Sequence, residues 1–159
     1  MSSEDSKKVF EADRKYVFHS WSAQGQISPL PVAGAAGSYF WDHDGNKYLD
    51  FSGQLVFTNI GHQHPKVVDA IKKQADVLTT IAPQHANNAR NEAAQRIVEL
   101  AGGDFSKVFF TNAGADGIEN AIRLSRLHTG KHKILSTYRS YHGNTGAAIN
   151  ATGDPRRLP

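Results

Sequence analysis

The chain has 159 residues, of which 39% are hydrophobic and 21% are charged, and its formal net charge is +3. This balance excludes a disordered chain, and the small, scattered positive excess excludes a nucleic-acid-binding surface. Cysteine is absent, so disulfides and thiolate metal sites are excluded. No apolar run approaches the roughly 18 residues that span a membrane, so a membrane partner is excluded and we expect a cytoplasmic protein.

The first part of the chain predicts two helices and a hairpin. Apolar side chains among many charges over residues 4–19 predict an amphipathic helix, and the Gly- and Pro-rich residues 25–37 predict an irregular connector. Two aromatic-rich runs around an Asp-Gly turn predict a β-hairpin over residues 39–51. Pro65 is well placed to begin the next helix, because the N–H that it lacks is not needed there, and helical spacing continues to Leu78.

The second part of the chain predicts one βαβ unit after a further helix over residues 91–101. Short apolar runs over residues 108–111 and 133–138 predict buried strands, and the helix between them runs from Gly114 to Thr129. Two parallel strands do not form a stable sheet alone. The sequence therefore predicts an α/β fold whose large domain is begun here and is not completed.

Small residues connect the first predicted strand to the helix that begins at Gly114. Such a turn gathers free backbone N–H groups at the positive end of the helix dipole, which favours a phosphate. The glycine spacing matches neither a dinucleotide fingerprint nor a P-loop. A tight turn without a ligand explains this segment equally well.

An aromatic residue, Tyr141, follows the second predicted strand. Adjacent parallel strands end side by side, so we expect Tyr141 to lie close to Gly114 and Ala115. An aromatic face beside a phosphate site suits a planar, phosphorylated ring. A tyrosine that packs under a loop is the simpler alternative.

Four segments of the sequence together carry a recognisable pattern. They are Gly37-Ser-Tyr-Phe-Trp-Asp-His-Asp-Gly-Asn-Lys-Tyr-Leu-Asp50, Gly61-His-Gln-His-Pro65, Phe110-Thr-Asn-Ala-Gly-Ala-Asp116 with Glu119-Asn-Ala-Ile-Arg123, and Tyr141-His-Gly143. In this order they resemble class III aminotransferases, which are pyridoxal-phosphate enzymes of fold type I. The resemblance implies that residues 1–60 form the helix and hairpin segment of the small domain. Residues 61–159 would then be the incomplete start of the large, mostly parallel cofactor-binding domain.

The resemblance also implies roles in binding pyridoxal 5'-phosphate. The backbone amides of Gly114 and Ala115 would hold the phosphate, Tyr141 would stack on the pyridine ring, and His142 would support the loop. The chain has Ala113 and Ala115 where many members of the family have hydroxyl side chains. We therefore expect phosphate binding to depend more on main-chain amides.

The resemblance implies that Trp21 is a candidate wall of the substrate pocket and that Leu55 is a second candidate. In the family, the lysine that binds the cofactor and the aspartate opposite the pyridine nitrogen lie well downstream of the Tyr-His-Gly motif. Only 16 residues follow Gly143, and no lysine is among them. We therefore assign no catalytic residue in this chain, treat the chain as incomplete, and expect it to be inactive alone.

The implied function is a transaminase that moves an amino group from an amino donor, such as an ω-amine, to a 2-oxo acid. A homodimer or higher homo-oligomer is expected for this family. An aminomutase or epimerase on the same scaffold is one alternative, and a non-catalytic module that binds a phosphate or mononucleotide is another. No metal is predicted, because the pair His62 and His64 has no set of Asp, Glu or His residues beside it in the sequence.

Overall fold

Contacts between residues divide the chain into two units, Met1–Ala82 and Pro83–Pro159. The structure is a computed structural model that describes residues 3–158. The domain assignment made from the sequence, 1–60 and 61–159, stays a prediction.

Helix α1 covers Glu4–Tyr16 in the first unit and confirms the first predicted helix. The side chain of Ser3 caps this helix by accepting a hydrogen bond from the amide of Ser6 at 3.1 Å. Acidic residues in the first turn and basic residues in the last turn stabilise the helix by interacting favourably with its dipole. The local sequence therefore accounts for both ends of α1.

Three antiparallel strands follow, in the spatial order β1-β2-β3. They are β1 (Val32–Ala36), β2 (Tyr39–Asp42) and β3 (Lys47–Leu49). The hairpin prediction is confirmed by β2 and β3, whereas the prediction of an irregular connector is wrong where β1 lies. Gly34 explains the difference, because a Cβ there would lie 2.8 Å from Cζ2 of Trp41. The strand is formed by close backbone pairing with β2 and not by the bulky residues typical of strands.

The turn of the hairpin is organised by the buried carboxylate of Asp42. This carboxylate accepts hydrogen bonds of 2.9 Å from the amides of Asp44 and Asn46 and from Nδ2 of Asn46, and one of 2.8 Å from the hydroxyl of Tyr48. These donors, the Asn46 side chain first, hold the pKa of Asp42 below its ordinary value. These local donors thus take the place of the water molecules that would hydrate an exposed carboxylate.

Two more elements complete the first unit. A single turn, α2, covers Gly53–Val56, and helix α3 covers Pro65–Val77. The predicted start of α3 at Pro65 is confirmed.

Residues 83–158 of the second unit form three helices and a final 3₁₀ turn. Helix α4 covers Asn88–Ala101, α5 covers Gly114–Thr129, α6 covers Gly146–Ala151, and the 3₁₀ turn covers Pro155–Arg157. Helices α4 and α5 were predicted, and glycines with positive φ, Gly102 and Gly130, end them. The buried apolar residues of this unit, Ile122 and Ala148, lie on α5 and α6.

Residues 108–111 and 133–138, all within the described chain, do not form strands. The predicted βαβ unit is therefore wrong in its two strands, although the helix between them is present. Parallel strands need neighbours and cover on both faces. Instead, the side chains of Phe109 and Leu135 are 70% and 99% exposed. The apolar pattern is present in the sequence, whereas residues 3–158 supply no layers that bury it.

Residues 3–158 include neither a membrane-spanning helix nor a cluster of metal-binding side chains. No helix there has the length and apolar character needed to cross a bilayer. No group of three or more His, Asp or Glu side chains there is arranged to hold a metal ion.

Candidate cofactor site

The first turn of α5 presents backbone amides that helix geometry leaves without an intrahelical acceptor. Ala113, which has no polar side chain, is the N-cap residue, and its carbonyl accepts the bond from the Gly117 amide at 3.1 Å. The amides of Gly114, Ala115 and Asp116 therefore precede the hydrogen-bonded ladder. Apart from its chain neighbours and the backbone of its own helix, no described atom lies within 4 Å of the position that a Cβ on Gly114 would take. An anion can approach this turn closely.

The loop that carries Tyr141 packs against this turn through Gly143. A Cβ on Gly143 would lie 2.5 Å from the Cβ and 2.8 Å from the Cα of Ala115, and 3.2 Å from the Cβ of Ala148. Gly143 also has a φ of +127°, a conformation that favours glycine. Gly143, two residues after Tyr141, is therefore in direct contact with Ala115. The expected position of Tyr141 itself beside Gly114 and Ala115 stays a prediction.

Tyr141 is 44% exposed, and its ring contacts a cation that the sequence did not predict. The guanidinium carbon of Arg156 lies 4.2 Å from the ring centroid. The same guanidinium donates to Asp154 through Nε at 2.8 Å and through Nη2 at 3.0 Å. This bidentate pair lowers the pKa of the Asp154 carboxyl to about 2. Asp154 thus orients Arg156.

The backbone of His142 is anchored by a fully buried residue, Thr152. The His142 amide donates to Oγ1 of Thr152 at 3.1 Å, and that hydroxyl donates to the carbonyl of Ala148 at 2.9 Å. His142 also borders a cavity of about 170 Å³ that includes Ile118 and Ile134 in its lining. These contacts fix the loop to α6.

Glu119 connects α5 to the start of α6. Its Oε1 accepts hydrogen bonds from the Thr145 hydroxyl at 2.6 Å, the Ala147 amide at 2.7 Å and the Ala148 amide at 3.1 Å. These donors, the Thr145 hydroxyl first, hold the pKa of Glu119 below its ordinary value. Its partners lie 26 to 29 residues further along the chain, where no local pattern indicates them.

The two candidate residues of the substrate pocket lie in the first unit. Trp21 is 57% exposed and Leu55 is 88% exposed. Both have positive φ, 55° for Trp21 and 36° for Leu55, and Leu55 lies in α2, where Gln54 and Val56 have φ values of 59° and 73°. The segment is therefore a strained left-handed turn that an L-residue rarely adopts.

This left-handed turn is held by a pair that sequence reasoning missed, Asp50 and His62. The Asp50 carboxylate lies 2.7 Å from Nε2 of His62 and accepts from the amide of Gln54 at 3.1 and 3.2 Å. The two side chains are 6% and 15% exposed, respectively. His62, first among several donors, holds the pKa of Asp50 below its ordinary value. The ring of His62 is therefore paired within the first unit.

The second unit thus combines a helix N-terminus that can bind an anion with a loop, carrying Tyr141, that packs against this N-terminus through Gly143. Small residues, Gly114 and Ala115, leave the amides accessible, and Tyr141 supplies a planar face in the loop whose Gly143 contacts Ala115. The residues present fit a flat, phosphorylated cofactor such as pyridoxal phosphate.

The comparisons with known proteins place this arrangement in a family. Residues 21–158 match the profile of the family described as aminotransferase class-III. The chain belongs to the class III aminotransferases, which use pyridoxal phosphate, amino donors and keto acids. The resemblance stated from the four sequence segments is confirmed.

Two curated relatives are acetylornithine aminotransferases. That of Methanothermobacter thermautotrophicus is 34% identical over 152 residues, which cover 96% of this chain and 37% of the relative. That of Bacillus amyloliquefaciens is 39% identical over 127 residues, which cover 80% of this chain and 55% of the relative. The chain spans about a third to a half of the length of these relatives.

Solved structures confirm the α/β fold class and its similarity to transaminases. The taurine:2-oxoglutarate aminotransferase of Bifidobacterium kashiwanohense, solved with PLP and glutamate, has a TM-score of 0.93 and 46% identity, covering 99% of this chain and 35% of that one. An aminotransferase of Bacillus anthracis has a TM-score of 0.91 and 28% identity, covering 99% of this chain and 36% of that one. The described residues therefore follow the backbone of known aminotransferases.

Proposed function

We propose that the whole protein is a pyridoxal-phosphate-dependent transaminase that moves an amino group from an amino donor, such as an ω-amine, to a 2-oxo acid. The observation that carries this proposal is the open first turn of α5, with Gly143 packed on Ala115. The acetylornithine and taurine:2-oxoglutarate aminotransferases among its relatives support the reaction class.

In this proposal the chain contributes the phosphate and ring contacts of the cofactor. The amides of Gly114 and Ala115 donate to the phosphate, where the helix dipole adds to the attraction. Tyr141 stacks on the pyridine ring, and His142 supports the loop through its anchor on Thr152. When bound, the cofactor supplies an electron sink for the substrate carbon.

The remaining parts of the proposal concern the substrate and the assembly. We assign Trp21 and Leu55 to walls of the substrate pocket. The strained backbone at both residues supports this assignment, since such conformations cluster at functional sites. We further propose a homo-oligomer located in the cytoplasm.

The test uses Gly114→Asp in the whole protein. An aspartate at the first helical position favours the helix, and the position is open among the described residues, so the variant should fold with unchanged or higher stability. Its carboxylate would repel a phosphate. We therefore expect affinity for pyridoxal phosphate to fall by about ten-fold or more, with little change for phosphate-free pyridoxal.

Gly25→Asp is the matched control, because it adds the same charge at another open glycine. This control should bind both compounds like the wild type. Equal affinity of Gly114→Asp and wild type for pyridoxal phosphate would refute the phosphate site. Tight binding of a mononucleotide in place of pyridoxal phosphate, without amino-group transfer, would refute the transaminase itself.

A further inference from the structure

Glu119 occupies the second turn of α5, directly after the turn that presents the amides of Gly114 and Ala115. Its Oε1 gathers the Thr145 hydroxyl and the amides of Ala147 and Ala148. All three donors belong to the residue that precedes α6 or to its first turn. One carboxylate oxygen therefore joins the two helices.

The loop between Tyr141 and Thr145 is held at three places. Gly143 touches Ala115 on α5, the His142 amide is bonded to Thr152, and the end of the loop is bonded to Glu119 through Thr145. Removing the Glu119 oxygen would leave its donors without their acceptor at the point where the loop enters α6. The loop would then lose the attachment that ties it to the second turn of α5.

The electrostatics agree with this arrangement. A carboxylate in the second turn of α5 would oppose a bound phosphate if its charge were unpartnered. The α6 amides and the Thr145 hydroxyl stabilise that charge instead, at distances of 2.6 to 3.1 Å. Glu119 therefore stays ionised in the turn of α5 that follows the proposed phosphate turn, with its charge held by donors at the start of α6.

We propose that Glu119 is a positioning residue of the cofactor site: it holds the loop that carries Tyr141 in register with the amides of Gly114 and Ala115. The inference rests on the proposed function of this site. Glu119 does not itself contact the cofactor, and it acts on the orientation of the ring-stacking tyrosine.

The test compares Glu119→Ala with Glu119→Gln in the whole protein. The glutamine keeps a neutral oxygen acceptor, whereas alanine removes it. For Glu119→Ala we expect faster amide hydrogen exchange over residues 145–148 without cofactor, about ten-fold weaker binding of pyridoxal phosphate, and a smaller circular dichroism signal per bound cofactor. Glu119→Gln should restore all three measurements to within about three-fold of wild type.

Two further variants make the result specific. Glu99→Ala removes an exposed carboxylate on α4 that accepts one bond, from Gln95 at 2.8 Å, and should behave like wild type. Thr145→Val removes a single donor to Glu119 and should shift each measurement in the same direction by a smaller factor, which keeps the test available if Glu119→Ala does not fold.

Two outcomes would count against the inference in different ways. If Glu119→Ala, or Thr145→Val in its place, binds the cofactor with wild-type affinity and an unchanged dichroism signal per bound cofactor, the positioning role is refuted although the proposed function stands. If the wild-type protein itself binds no pyridoxal phosphate, the proposed function fails and the inference fails with it.

Discussion

Gly143→Ala is the substitution whose effect the structure specifies most sharply. The new Cβ would lie 2.5 Å from the Cβ of Ala115, well inside the 3.4 Å at which ordinary contact begins, and the nearest atoms include the Ala115 backbone. Overpacking of this kind costs about 1–3 kcal/mol. The φ of +127° adds about 1 kcal/mol for a residue with a Cβ. We therefore expect a loss of about 2–4 kcal/mol in the free energy of unfolding.

The assay is urea unfolding of the whole protein without cofactor, combined with a titration of pyridoxal phosphate. Because the clash moves Ala115, whose amide is assigned to the phosphate, affinity for the cofactor should fall as well. Gly146→Ala is the matched control, since Gly146 begins α6 and no described atom outside its chain neighbours and its own helix backbone lies within 4 Å of its Cβ position. This variant should gain about 0.4–1 kcal/mol. A Gly143→Ala protein with wild-type stability and affinity would refute the packing argument.

Three further predictions concern the first unit. The lowered pKa of Asp50 means that its ionised form stabilises the fold above its unfolded pKa of about 3.9, and this stability is lost as the pH falls through the folded value; Asp50→Asn should remove that component from melting curves recorded between neutral and acidic pH. Gly34→Val should displace the ring of Trp41 and change the tryptophan fluorescence. Asp42→Ala should lower the melting temperature more than Tyr48→Phe, which removes one of the bonds to that carboxylate; the reverse order would contradict the account of the hairpin turn.

The features that the sequence predicted well are those governed by local chemistry. Pro65 begins α3, Gly130 ends α5, and the Asp-Gly turn joins β2 to β3, because each depends on the conformational preferences of a few adjacent residues. The position of Tyr141 beside Gly114 and Ala115 was expected from parallel strands and stays a prediction. Residues 108–111 and 133–138 do not pair as strands, and the Tyr-His-Gly loop contacts Ala115 through Gly143.

The features that it missed depend on contacts between distant residues. Glu119 accepts a hydrogen bond of 2.6 Å from the hydroxyl of Thr145, which lies 26 residues further along the chain. The left-handed turn at Leu55 is held by Asp50 together with His62. Such contacts leave no periodic signal in the sequence. The βαβ prediction failed for a related reason, because strand formation depends on neighbouring strands as well as on apolar runs.

The most direct test of the central claim is a crystal structure of the whole protein with pyridoxal phosphate bound. We predict phosphate oxygens within about 3 Å of the amide nitrogens of Gly114 and Ala115, and the pyridine ring stacked on Tyr141. A phosphate bound away from the first turn of α5, or a ring that makes no contact with Tyr141, would contradict the account.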